Sequence, residues 1–86
     1  MPEISRFYGI VIRMNAREHN PPHFHVEYDG REATILIDSL KINAGALPRI
    51  ALRLVLRWAS KHKEELQANW DLLQIHKPCK KIKPLE

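Results

Sequence analysis

Residues 23–37, "HFHVEYDGREATILI", decide the fold. Two runs of alternating apolar and polar residues flank Asp29-Gly30. Such a pair between such runs marks a hairpin closed by a two-residue type I′ turn, in which both central residues take positive φ. The turn sets the register. Tyr28 faces Arg31, Glu27 faces Glu32, Val26 faces Ala33, His25 faces Thr34, Phe24 faces Ile35, and His23 faces Leu36. Alternation then sorts the side chains. Phe24, Val26, Ala33, Ile35 and Ile37 belong to a core face. His23, His25, Glu27, Glu32 and Thr34 belong to the other. Two glutamates directly opposite each other repel, so Glu27 and Glu32 call for a neutralising neighbour. Arg13, Arg6, a protonated histidine, a metal or plain water can fill that role.

Upstream, residues 4–14, "ISRFYGIVIRM", read as one β-rich segment. Tyr8, Ile10, Ile12 and Met14 share one face, and Phe7, Val11 and Arg13 share the other. Gly9 interrupts the alternation, as at a bulge. Residues 15–22 form a connecting loop stiffened by Pro21 and Pro22. Downstream, "SLKIN" reads as a short further strand, and Pro48 suits the first position of a helix. No Gly or Pro interrupts Arg49 to Ile75. One unbroken helix from Pro48 would be ~43 Å long, against a radius of gyration of about 12 Å for so short a chain. A break is therefore expected between Ser60 and Lys63.

The first helix is apolar around most of its circumference and needs cover on more than one side. In the second, Leu66, Trp70 and Leu73 make a seam. Trp58 and Trp70 read as core anchors. These elements predict a small α+β domain, with an antiparallel sheet of three to four strands and one or two C-terminal helices packed on one face. Residues 1–76 form that domain, and residues 77–86 form a basic tail.

Composition narrows the setting. The chain has 86 residues, of which 44% are hydrophobic and 28% charged, with a formal net charge of +4. That is one domain with a modest core. The net charge suits an anionic partner such as RNA or DNA. Charges interrupt every apolar run, so no membrane span is predicted. The N-terminus lacks the pattern of a secretory signal. Cys79 is the single cysteine, which points to a reducing, cytoplasmic setting.

Chemistry concentrates in "EHNPPHFHVEYDG", residues 18–30, which holds three of the five histidines. His23 and His25 are two apart on a strand and point the same way. Three readings stay open. The imidazoles can hold the loop by hydrogen bonds. They can bind a divalent metal, with His19, His23, His25 and Glu27 as ligands. Or they can act without a cofactor as general acid and base on a phosphodiester, with His23 and His25 sharing the proton work. Arg6, Arg13 and Arg17 would then stabilise developing charge, and Tyr8 would donate a hydrogen bond.

A second constellation is Arg49, Arg53, Arg57 and Lys61. The four recur every four residues along the first helix, with no acidic residue in the row. They are candidates for nucleic-acid binding, or else a solvated face. Cys79 has no base or resolving cysteine nearby in sequence and is given no catalytic role.

"MPEISRFYGIVIRM", "EHNPPHFHVEYDG", "LPRIALRLVLRWASKHKEELQANWDL" and "KPCKKIKPL" closely resemble domain-of-unknown-function family 4160, a family of small prokaryotic proteins. The resemblance covers almost the whole chain. Its most specific parts are the block holding His19, Pro21, Pro22, His23, Phe24 and His25, and the "R-L-V-L-x-W" helix. Members look like components of toxin–antitoxin modules, so the resemblance implies a cytoplasmic protein with a small cognate protein partner. It implies no defined activity. Homo- or hetero-oligomerisation is expected from the over-apolar first helix.

Overall fold

A computed structural model of the chain describes residues 2–86. The Asp29-Gly30 turn forms as its sequence dictates, with φ of 50° and 76°. It joins β3 (His23–Tyr28) to β4 (Arg31–Leu36), and all six predicted cross-strand pairs are present. Five antiparallel strands make one sheet in the order β1-β2-β3-β4-β5, followed by helices α1 and α2.

The strand count exceeds the expected three to four, because residues 4–14 are a second hairpin rather than one strand. β1 (Glu3–Phe7) and β2 (Ile10–Arg13) are joined by Tyr8-Gly9, with φ of 50° and 78°. This is the same two-residue geometry as Asp29-Gly30. Tyrosine is an uncommon residue at positive φ, so the sequence conceals the turn. The folding back puts Phe7 opposite Ile10, and both are buried. Tyr8 projects from the turn and is 61% exposed.

β5 (Ile42–Gly45) is the short further strand, and all four of its residues are exposed. Gly45 has φ of 79°, and a Cβ there would overlap the Glu32 carbonyl. Only glycine fits this close approach of β5 to β4. Helix α1 spans Arg49–Lys61 and α2 spans Lys63–Gln74. Pro48 is the residue before the helix, one position earlier than expected, and His62 forms the break.

The core lies between the Phe24 face of the sheet and the helices. Trp58 is fully buried, with ring centroids 5.4 Å from Phe7 and 6.1 Å from Phe24. Leu66, Trp70 and Leu73 of α2 are buried, as the seam predicted. Residues 77–86 contain no helix or strand, yet they are anchored. Ile82 is buried, and its N–H donates to the Ile4 carbonyl on the outer edge of β1 (2.8 Å). Asn69 brackets Lys80: its Nδ2 donates to the Lys80 carbonyl (2.9 Å), and its Oδ1 accepts from the Lys80 N–H (2.8 Å). The Trp58 indole N–H donates to the Lys83 carbonyl (2.8 Å).

Candidate functional site

The sheet face opposite Trp58 carries paired charges. Arg13 on β2 hydrogen-bonds Glu27 on β3, which meets the demand raised by Glu27 standing opposite Glu32. Arg6 pairs with Glu3 on the same strand (2.7 Å). Both arginines are thus committed within the protein.

The histidines meet at one end of this face. Register keeps His25 and His23 on the same side of β3, and their rings are 5.3 Å apart, edge to face. Behind them α2 reaches the start of β3, so the Trp70 ring lies 5.2 Å from that of His23. Contact with Trp70 leaves the His23 side chain 10% exposed, while that of His25 is 28% exposed.

What joins them is Glu18, from the loop before β3. Its Oε2 is 3.2 Å from His23 Nε2, and its Oε1 hydrogen-bonds His25 Nε2. Asn15 Nδ2 donates to the same Oε1 (3.0 Å) and lies 3.2 Å from His25 Nε2. The loop itself is pinned: the Ile37 N–H donates to the Pro22 carbonyl (3.0 Å), and His23 Nδ1 donates to the Pro21 carbonyl (2.9 Å). The Asn20-Pro21 peptide is cis.

Burial opposes ionisation of Glu18. The hydrogen bond and charge of His25, the Asn15 amide and the charge of His23 outweigh it, and together they hold the carboxyl below its usual range. Glu18 is therefore a carboxylate at neutral pH. A carbonyl oxygen can only accept, so the Pro21 contact fixes a proton on His23 Nδ1. His23 Nε2 then meets the carboxylate either as an imidazolium N–H or as a lone pair beside a cation. His25 keeps Nδ1 without a hydrogen-bond partner among the described residues.

Glu18, His23 and His25 each offer a ligand atom, and these atoms lie within 4.8 Å of one another. The expected ligand set is thus rearranged. His19 is exposed on the loop and stands outside the cluster. Glu27 lies one step further along β3 and is taken by Arg13. Tyr8 is remote: Ile10 pairs with Tyr28, so the β1–β2 turn sits five residues from His23 along β3, about 17 Å away. Sequence reasoning missed Glu18. Its one signal is its place at the head of the "EHNPPHFH" block, and linear spacing does not show that the loop folds it back over both imidazoles.

A shallow recess of about 270 Å³ opens beside His25, lined by Glu32, Ala33, Thr34, Ala44 and Gly45. A larger recess, about 520 Å³, lies elsewhere, between α2 and the C-terminal segment.

The other constellation is intact but separate. Arg49, Arg53 and Arg57 are exposed on α1, as is Lys61, and none forms an ion pair among the described residues. At about 100° per residue, this row lies on the side of the helix opposite Ala51, Val55 and Trp58, which pack inward. The cations therefore face away from the sheet. Of the two clustered histidines only His25 is partly open, beside β4, while His23 is covered by Trp70.

Cys79 is partly buried, and burial pushes its thiol up, so it is a poor nucleophile. His62 is a further ring with contacts: it hydrogen-bonds Glu65 (2.6 Å) and packs on Trp58 (5.5 Å).

The model of a domain of unknown function, DUF4160, matches residues 9–71. The chain belongs to the DUF4160 family. The matched span holds the whole Glu18–His23–His25 cluster and the row on α1. No curated protein and no solved structure matches the chain. Among the described residues of this DUF4160 protein, no helix is long and apolar enough to cross a membrane.

Proposed function

We propose that Glu18, His23 and His25 bind one divalent transition metal, and that this metal serves hydrolytic chemistry on RNA. The observation that carries the metal is the convergence of two imidazole nitrogens and one carboxylate within 4.8 Å. His23 supplies a supporting detail. A ligating histidine characteristically donates its other ring N–H to a carbonyl or carboxylate, and His23 donates to Pro21. Metal-free acid–base work by two imidazoles is less well served, because both nitrogens of His23 are engaged. RNA as substrate is supported by the net charge of +4 and by the resemblance to toxin–antitoxin components. The same resemblance supports a cytoplasmic setting and a small cognate protein as partner.

Untagged protein stripped with chelator should take up one equivalent of Zn²⁺ or Ni²⁺. At a free metal concentration ~100-fold above Kd the stabilisation is about 2.7 kcal/mol, which raises Tm by roughly 10 °C or more in a domain this small. Glu18→Gln or His23→Ala should abolish the gain, whereas His19→Ala and Glu27→Gln should keep it. A wild-type protein whose Tm ignores added metal would refute the site. Equal RNA cleavage with and without chelator would instead assign the chemistry to the imidazoles themselves.

A second reading concerns α1. Four unpaired cations spaced about 6 Å apart along a helix suit the backbone of a nucleic acid. They make a docking surface distinct from the histidine site. The paired reversal Arg53→Glu with Arg57→Glu should weaken binding to a short single-stranded RNA at least ~10-fold at low salt. It should also flatten the slope of log K against log salt by about 1.4, the value for two lost phosphate contacts. Unchanged binding would remove α1 from the interface.

A further inference from the structure

The geometry points to Asn15 as a fourth ligand, one that turns its amide over when metal enters. This rests on the metal reading above and adds the ligand field to it.

Asn15 Nδ2 occupies a place in the cluster, 3.0 Å from Glu18 Oε1 and 3.2 Å from His25 Nε2. His23 Nε2 is 3.2 Å from Glu18 Oε2. With metal–ligand bonds of ~2.1 Å, neighbouring donor atoms in an octahedral or tetrahedral shell stand roughly 3.0–3.4 Å apart. The amide end of Asn15 is therefore spaced from its neighbours as a ligand would be.

The other end of the same amide is unsatisfied. Asn15 Oδ1 is buried and has no hydrogen-bond partner among the described residues. Such an acceptor is costly to maintain. A half-turn about χ2 exchanges Oδ1 and Nδ2. In the present orientation it is Oδ1 that goes without a partner, and what lies between Glu18 and the imidazoles decides which end of the amide faces them. A bare carboxylate demands a donor and draws Nδ2. A cation demands a lone pair and draws Oδ1. The resulting set is two nitrogens and two oxygens, with a single negative charge and no sulfur. That set suits borderline to hard divalent ions such as Zn²⁺, Ni²⁺ or Mn²⁺, and not soft Cu(I). In an octahedral shell it leaves two coordination positions for water.

Asn15→Asp separates ligation from mere support of Glu18. If Asn15 only donates to Glu18, aspartate removes the donor, adds a repelling charge and weakens Zn²⁺ binding. If Asn15 ligates, aspartate supplies a stronger oxygen donor. Calorimetric titration of stripped wild-type, Asn15→Asp and Asn15→Ala proteins with Zn²⁺ at constant pH reads the difference. The expected result is ~10-fold tighter binding by Asn15→Asp and ~10-fold weaker binding by Asn15→Ala. Weaker binding by both variants, or affinity equal to wild type in both, overturns the fourth ligand while leaving the three-residue site standing. Failure of the wild type to bind Zn²⁺, Ni²⁺ or Mn²⁺ overturns both.

Discussion

Removing residues 80–86 leaves a chain that does not fold cooperatively. These residues look dispensable in sequence, being basic and punctuated by Pro84. Three separate parts of the molecule nevertheless close on them. Ile82 fills the core and bonds Ile4 of β1, Asn69 of α2 brackets Lys80, and the Trp58 indole of α1 reaches Lys83. Losing the Ile82 side chain alone forfeits roughly 1.5–3 kcal/mol of burial. The buried side chain of Asn69 would lose both partners, at about 1–3 kcal/mol for each group left without one. Together these losses reach the ~5–15 kcal/mol that holds a typical domain together. Circular dichroism of the 1–79 chain should show no sigmoidal thermal transition. A transition within about 5 °C of the full chain would mean that the segment lies on the fold without supporting it.

Trp58→Ala should cost about 3–5 kcal/mol, the range for deleting a buried aromatic. Trp58 is the side chain on which the two layers meet. It contacts Phe7 and Phe24 across the core and His62 at the helix break, and it donates its indole N–H to Lys83. Trp58→Phe separates these contributions. It keeps a ring against Phe7 and Phe24 but leaves the Lys83 carbonyl without its donor, so a smaller loss of about 1–2 kcal/mol is expected. Chemical denaturation at fixed pH measures both. Losses under 1 kcal/mol for Trp58→Ala would show that the core closes over the gap and does not depend on this residue.

What was legible in sequence followed from local rules. The Asp29-Gly30 turn set a register that holds at every pair. The excessive length of one helix forced a break, found at His62. The second turn stayed hidden because Tyr8-Gly9 lacks the usual polar residue at positive φ. β5 starts at Ile42 rather than Ser39, because residues 37–40 turn the chain: the Leu40 N–H donates to the Leu36 carbonyl, and the Leu36 N–H to that of Lys41. At the candidate site, strand periodicity brought His23 and His25 together. It also enlisted Glu27 as the third member, the next residue in the same row. The residue that completes the cluster, Glu18, arrives from a loop, and periodicity carries no information about loops. Asn15 was invisible for the same reason.

The hairpin's small turn governs more than shape. Along β3, Phe24 and Val26 are inside, while His25 and Glu27 are outside. A slip of one residue at Asp29-Gly30 would exchange these two sets, exposing Phe24 and Val26 and interring His25 and Glu27. Which face His25 takes at one tip of the sheet is thereby set by two residues at the other. The geometry of the cluster depends on the remote bend as much as on the groups that compose it.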